Sequence, residues 1–400
     1  MVEEALNHMG GVSSLIKPRS TVVIKPNAGH LFPPETSVNT SPGVVGAAIK
    51  VIRKAEPREI ILAESAAIGC DTWECLKLSG ILKAAEESGV DRIVDIKKEK
   101  DLINIPIRGA KSDLKKIRLP RFLLDADHIV NLPIFKSHVS MVFTCALKNI
   151  KGVVQDKVHN QMHRTVLSDA IMDVWSVVKA DLSIVDMIRP AQGFGPHNTS
   201  PVDFGCVVAG RDPVAVDATI SRMVGLDVNE VPYFESSVNR EIGRFQEAEI
   251  EIRGSKINEV FKKLWLPYLE GFDTWPEYNI FTENACSSCQ GLLAFTMENL
   301  KALGEYDKNS GISLVIGPKK ELPEGVEPEN LIIIGDCLKK YRGKGKGICV
   351  GGCPPAEPYI LYAILDRKDC LKEEEWMRER YEGITKIFQD YLKTRYENCQ

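Results

Sequence analysis

"STVVIKPNAGHLFPPETSVNTSPGVVGAAIKVIRKAEPREIILAES", residues 20–65, decides the fold. Its β-branched opening stops at Pro26 and Asn27, which predicts a strand running into a loop. Ser41-Pro42 is a helix-start signal, and the apolar residues after it recur at helical spacing. Arg58 to Ser65 is a second short apolar strand. Strand, helix, strand implies a parallel pair joined by a right-handed crossover. Outward from there the alternation repeats: "CLKLSGILKAAEESG" helical, "RIVDI" extended, "ADHIVNLPIF" a buried strand, "LSDAIMDVWSVVKA" helical, "LSIVDMI" and "FGCVVAG" extended, "PVAVDATISRMVG" helical. This pattern predicts an α/β fold, a mostly parallel sheet with helices on both faces. Its helical and extended segments fill residues 1–235.

Around "KKLWLPYLEGFDTWPEY" the periodicity breaks, and residues 236–279 read as a packed connector. A second, smaller α/β cysteine-rich domain is expected over residues 280–400, ending in an amphipathic helix. A chain of 400 residues with 44% hydrophobic and 26% charged residues has material for such cores, and its net charge of -4 argues against a nucleic-acid binder. No apolar run has membrane-span length, and "MVEEALNHMGG" lacks a signal-peptide pattern, so a cytoplasmic protein is expected, with a homo-oligomer left open.

In open parallel sheets ligands gather beyond the carboxyl ends of the strands. Lys25 and Asn27, Glu64 and Ser65, Lys136 and His138, and Asp186 all stand at such ends. A lysine directly after an apolar strand is costly unless an anion or carboxylate meets it. From Lys136 to Arg164 the chain carries Lys136, Lys148, Lys151, Lys157 and Arg164 against the single acid Asp156. His159 and His163, spaced i, i+4, share a face if their segment is helical. Such a pair suits a metal or an anion; no carboxylate or cysteine stands at a helical offset to complete a metal triad, which favours the anion. The expected roles are Lys25, Asn27, Lys148, Asn149 and Lys151 for substrate binding, with Lys136 also on the anion. His138, His159 or His163 would carry protons, with Glu64 or Asp186 orienting them.

Eleven cysteines in a chain without a signal peptide point to metal or redox chemistry rather than a disulfide scaffold. Cys286 and Cys289 form a C-x-x-C, Cys337 ends the apolar run "LIIIGDC", and Cys353 precedes proline in "GGCPP". These four thiolates meet the requirement of a 4Fe-4S cluster, and separate segments fit a zinc ribbon less well. Cys349 is a fifth candidate, competing with Cys353 for the last position. An iron-sulfur oxidoreductase acting on a small anionic substrate is therefore expected. The alternatives are a non-catalytic electron-transfer protein docking a redox partner, or a cluster-dependent dehydratase. "GFGPHNTSP" lacks the setting of a dinucleotide fingerprint, while a flavin is left open.

"VVIKPN", "ADHIVNLPIFKSHV", "CALKNIKG" with its trailing H-x-x-x-H, "IVDMI" and "VVAGRDPVAVDA", in this order over Thr21 to Val231, together resemble the family of unknown function DUF362. The resemblance implies an association with iron-sulfur centres. Many relatives carry two C-x-x-C-x-x-C runs; this chain has none, so one cluster is the expectation. "GGCPPAEP" is also similar to the Gly-Cys-Pro-Pro turn that ligates a cluster in the small subunits of hydrogenases and respiratory complex I.

Overall fold

In the computed structural model the described residues are 1–139, 141–196, 198–266, 275–319 and 321–372, with 377, 380, 383–388, 390, 391 and 394. They form two compact units, 1–266 and 267–400. The expected C-terminal helix lies largely outside the described residues, as do residues 267–274 of the expected connector.

The strands of the first unit are β1 (Thr21–Pro26), β2 (Glu59–Glu64), β3 (Arg92–Asp95), β4 (Leu102–Pro106), β5 (Lys116–Pro120), β6 (His128–Leu132), β7 (Ile134–His138), β8 (Val142–Thr144), β9 (Leu182–Phe194), β10 (Asn198–Pro201) and β11 (Cys206–Gly210). The main sheet runs β3-β2-β1-β6-β9-β7-β8, with β10 and β11 also on β9 and β4-β5 a separate hairpin. From β3 to β7 every pairing along that order is parallel, so these carboxyl ends share one edge. Successive residues feed opposite cores: Val23, Ile61 and Ile129 pack on one face, Val22, Ile24, Ile60, Leu62 and Val130 on the other. That alternation makes near-continuous apolar strands tolerable, because both faces are covered. The helix Pro42–Arg53 joins β1 to β2 and buries Val44, Val45, Ala48, Ile49 and Ile52.

Two expectations change. "ADHIVNLPIF" is two strands, because Pro133 interrupts it and β9 enters between β6 and β7. Pro133 lacks an N–H for the ladder, but its carbonyl accepts from the Asp186 amide at 2.8 Å. The first unit also extends to Leu266 rather than giving way to a connector after residue 235. Leu264 is buried in its core, Lys262 and Leu264 donate to the Met223 and Val224 carbonyls, and Trp265 packs edge-on against Phe194 at 5.0 Å.

The second unit is a four-stranded parallel sheet, β12 (Asn279–Phe281), β13 (Ser313–Ile316), β14 (Leu331–Ile334) and β15 (Ile348–Val350), in that order. The helix Ser287–Ala302 and the helix Glu357–Asp366 share one core with it, through Leu293, Met297, Leu314, Ile332, Ile360 and Ile364.

Candidate anion site and cysteine cluster

At the carboxyl edge of the main sheet Lys25, the last residue but one of β1, is buried. Its Nζ meets Glu64 Oε1 at 2.7 Å and donates to the Pro26 carbonyl at 2.7 Å. Glu64, ending β2, also accepts from the Ala28 amide at 2.7 Å and its neighbour Ser65's amide at 2.8 Å. Burial lowers the Lys25 pKa and raises that of Glu64, and their mutual attraction opposes both shifts. Gly152 lies against this pair: a Cβ there would stand 2.5 Å from Glu64 Oε1 and 2.6 Å from Lys25 Nζ. The glycine of "KNIKG" is thus required by close approach, not by backbone conformation.

Lys136, on β7, is buried as well and donates to Asn27 Oδ1 at 3.1 Å and to the Val38 carbonyl. Asn27 passes the network on through its Nδ2 to Asn149 Oδ1 at 2.8 Å, and Asn149 donates to Asn131 Oδ1 at 2.8 Å. Burial brings Lys136 down to about 7, with Glu64 raising it and Lys25 lowering it further. Lys148, half-buried, donates to Thr144 Oγ1 at 3.2 Å and is held well below the usual lysine range by burial, then by Lys151 and Lys136. Lys151 is brought to about 7 by burial alone.

His159 and His163 lie on the helix Asp156–His163 and both turn to Lys151. His159 Nε2 donates to the Lys151 carbonyl at 2.7 Å, and His163 Nε2 meets Lys151 Nζ. Because Nζ is the donor there, His163 Nε2 is an acceptor and the ring is neutral. Burial and the neighbouring lysines push His159 to about 3 and His163 to about 2. His138 is lowered by burial, then by Lys148, Lys151, His163 and Lys136, which places it within electrostatic reach of the same group. Asp186 accepts from the Ser41 amide at 2.8 Å, at the start of the helix Pro42–Arg53, and from the Ile188 amide at 3.1 Å. The expected orienting acid is therefore spent on backbone, and Glu64 is bonded to a lysine rather than to a histidine.

Asp217 carries a role that sequence reading did not assign. From the helix Pro213–Met223 it accepts the Ala146 amide at 2.8 Å and the Leu147 amide at 3.0 Å, fixing the short helix Ala146–Asn149 that presents Lys148 and Asn149. Burial raises its carboxyl to about 7. The only available signal was its place in "VAVDA", an acid in an otherwise apolar helical run.

In the second unit the four expected cysteines follow the carboxyl ends of parallel strands: Cys286 and Cys289 after β12, Cys337 after β14 and Cys353 after β15. Cys286 is the N-cap of the helix Ser287–Ala302, and its thiol is lowered to about 6, first by a hydrogen bond from Cys289 and then by helix-start amides. The Cys289 thiol is pushed up by giving that bond, by burial, and by the nearby Cys286, Cys337 and Cys353 sulfurs. The Cys337 and Cys353 loops are strapped together: the Asp336 amide donates to the Gly352 carbonyl at 2.9 Å and the Gly352 amide to Asp336 Oδ1 at 2.8 Å. Gly317 (φ +93°) lets the Cys286 loop pass, since a Cβ there would meet the Ala285 backbone at 2.7 Å. Cys349 lies inside β15, buried among Val315, Leu331, Ile333 and Leu338, away from the other four. Among the described residues no three His, Cys, Asp or Glu side chains are placed to hold a single metal ion.

Among the described residues no helix is long and apolar enough to cross a membrane. A thylakoid-associated protein of Synechocystis sp. is 27% identical over 238 residues, 57% of this chain and 70% of that protein. A crystal structure of a Thermotoga maritima protein aligns over 53% of this chain at 15% identity and a TM-score of 0.32; the chain spans 55% of that protein's length. The lactate racemase apoprotein of Thermoanaerobacterium thermosaccharolyticum aligns over 92% of this chain and 89% of its own at 12% identity, with a TM-score of 0.41. The family described as Domain of unknown function (DUF362) matches residues 22–222, a span that holds all four lysines and the three histidines and excludes the cysteine module. With half of its length matched, the chain belongs to the DUF362 family.

Proposed function

We propose that the protein is an iron-sulfur oxidoreductase whose basic site binds a small carboxylate- or phosphate-bearing substrate. The observation that carries the proposal is the grouping of Lys136, Lys148 and Lys151 with three imidazoles, where no carboxylate among the described residues relieves the depressed Lys148 and Lys151. Positive charge withdrawn from water in this way is costly until an anion arrives. Lys136 and Lys148 would grip the anion, Asn27 would orient Lys136, Asn149 would tie Asn27 to β6, and Lys151 would itself give or take the proton while neutral His163 Nε2 accepts its hydrogen bond. A lysine near its pKa, oriented by an imidazole that stays neutral, suits proton transfer at neutral pH.

The cysteine module fits a cluster better than a lone ion. Zinc draws its sulfurs to about 2.3 Å from one centre. In a 4Fe-4S cluster each thiolate binds a different iron, so the sulfurs stand farther apart. Cys289 feels the charge of Cys286, Cys337 and Cys353, and Cys337 that of Cys286 and Cys353, which supports reading the four thiols as one group. Cys286, Cys289, Cys337 and Cys353 would be the ligands, and the bound cluster would supply one-electron transfer. Cytoplasmic reducing conditions would keep these thiols available.

The test is anaerobic purification with iron and acid-labile sulfide analysis, electron paramagnetic resonance before and after reduction, and calorimetric titration with anions. About four irons per chain, a reducible signal and lysine-dependent anion binding are expected. A colourless protein with stoichiometric zinc overturns the redox reading. A cluster in a protein that binds no anion overturns the substrate reading and leaves an electron carrier.

A further inference from the structure

Cys70 and Cys75 lie outside everything assigned above, yet they stand on either side of the helix cap Asp71, at the residue before the cap and the fourth residue of the helix, two positions whose side chains pack against each other, and each thiol shifts the other's titration. Cys75 is fully buried on the helix Thr72–Leu78, whereas Cys70 is half-buried in the preceding loop. The backbone between them is fixed: Asp71 caps the helix through the Trp73 amide at 2.9 Å and the Glu74 amide at 3.1 Å, and the Cys75 amide donates to the Asp71 carbonyl at 3.1 Å. Lys97 holds the loop from the other side, its Nζ donating to the Cys70 carbonyl at 2.9 Å and the Ala67 carbonyl at 2.8 Å. A half-buried sulfur near a cation, backed by a fully buried second sulfur, is the arrangement of an attacking and a resolving thiol.

We propose that Cys70 and Cys75 are a redox-active dithiol that hydrogen peroxide closes to a disulfide. The Cys70 thiolate attacks one peroxide oxygen, the O–O bond breaks, and hydroxide leaves as Cys70 becomes a sulfenic acid. The Cys75 sulfur then attacks Cys70 Sγ, the S–O bond breaks, and hydroxide departs as water with the Cys75 proton. Two thiols lose two electrons and two protons, and one peroxide becomes two waters. Cys70 is poised for the first step: the Cys75 thiol, and then Lys97, bring its thiol to about 7 against the opposing effects of burial and Asp156. Cys75, raised by Cys70, by burial and by Glu64, stays protonated until it resolves the sulfenic acid. Lys97 also pairs with Asp156 at 2.9 Å, and Asp156 begins the helix bearing His159 and His163. Closure would thus be felt beside the anion site, although the dithiol chemistry does not depend on that site binding anything.

Both cysteines fall in one tryptic peptide, residues 59–77, so the reaction can be read in the full-length protein by mass spectrometry. Brief peroxide treatment followed by alkylation is expected to leave this peptide unalkylated and lighter by two hydrogen atoms, with dithiothreitol restoring both alkylation sites. In Cys75→Ala, Cys70 is expected to stop at a sulfenic acid that dimedone traps; in Cys70→Ser, Cys75 stays a thiol. Persistence of both wild-type thiols, or over-oxidation of Cys70 with no link to Cys75, overturns the proposal; the wild-type measurement decides even if a variant fails to fold.

Discussion

If the lysine group is an anion site, binding must draw protons from solution. Lys136 and Lys151 sit at about 7 without a ligand. A bound dianion raises both toward the ordinary lysine value, so the complex holds more protons than the free protein over the interval between. The sign follows: affinity is full below pH 7, where both lysines are already charged, and falls as pH rises above it. At pH 8 a group with this pKa is only about one-tenth protonated, so saturation takes up about 0.9 proton per lysine and about 1.8 from this pair, to which the depressed Lys148 adds. Each lysine then weakens binding by up to about tenfold per pH unit. Inorganic sulfate is the appropriate probe, because its own charge is constant over this range. Calorimetry in buffers of different ionisation enthalpy measures the uptake directly. Lys136→Met should remove about 0.9 proton of this uptake at pH 8 while weakening binding. A sulfate affinity independent of pH, or binding with no proton uptake, would refute the reasoning, since the anion would then not be seated on these two lysines.

Three further outcomes are expected. Gly152→Ala drives a methyl into the buried Lys25–Glu64 pair and should cost about 3–5 kcal/mol in urea unfolding, the range for disrupting a buried ion pair. Asp217 has its carboxyl raised to about 7 in the folded protein, so its contribution is full below the unfolded value near 4 and is lost as pH rises through about 7; Asp217→Asn should flatten this decline, seen as a weaker pH dependence of the thermal midpoint between pH 4 and 7. Cys337→Ser should lower the iron content of anaerobically purified protein, whereas Cys349→Ala should leave iron unchanged and only reduce stability, since that thiol packs inside β15.

What sequence could reveal here was set by how far apart the partners lie. The strand-helix-strand opening is legible because strand alternation and helical spacing are local, and they predict the parallel sheet through β1 and β2. Lys25 and Lys136 are legible because a lysine closing an apolar strand violates the local pattern. The split at Pro133 was also written in the sequence, but the strand between its two halves comes 50 residues later, and nothing local announces it. Gly152 looks like any glycine after a helix; its necessity comes from Glu64, a residue on another strand. Asp217 serves amides 71 and 70 residues away. Asp186 misled for the converse reason: its position at the sheet edge was read correctly, but the Ser41 amide that consumes it is 145 residues earlier.

The two halves of the functional reading rest on the same topological fact. In both units parallel strands deliver their following loops to one edge, and each unit fills that edge with groups that are poor occupants of a protein interior unless something binds them. In the first unit these are lysines whose charge burial opposes; in the second they are thiols, one of them already lowered toward thiolate. Folding stability alone would favour apolar replacements at such positions, because a buried charge without a partner costs several kcal/mol. The Lys25–Glu64 pair is the internal comparison: beside that buried lysine the chain supplies a carboxylate at 2.7 Å. Among the described residues no such carboxylate relieves Lys148 and Lys151, and the proposed anion would supply that charge.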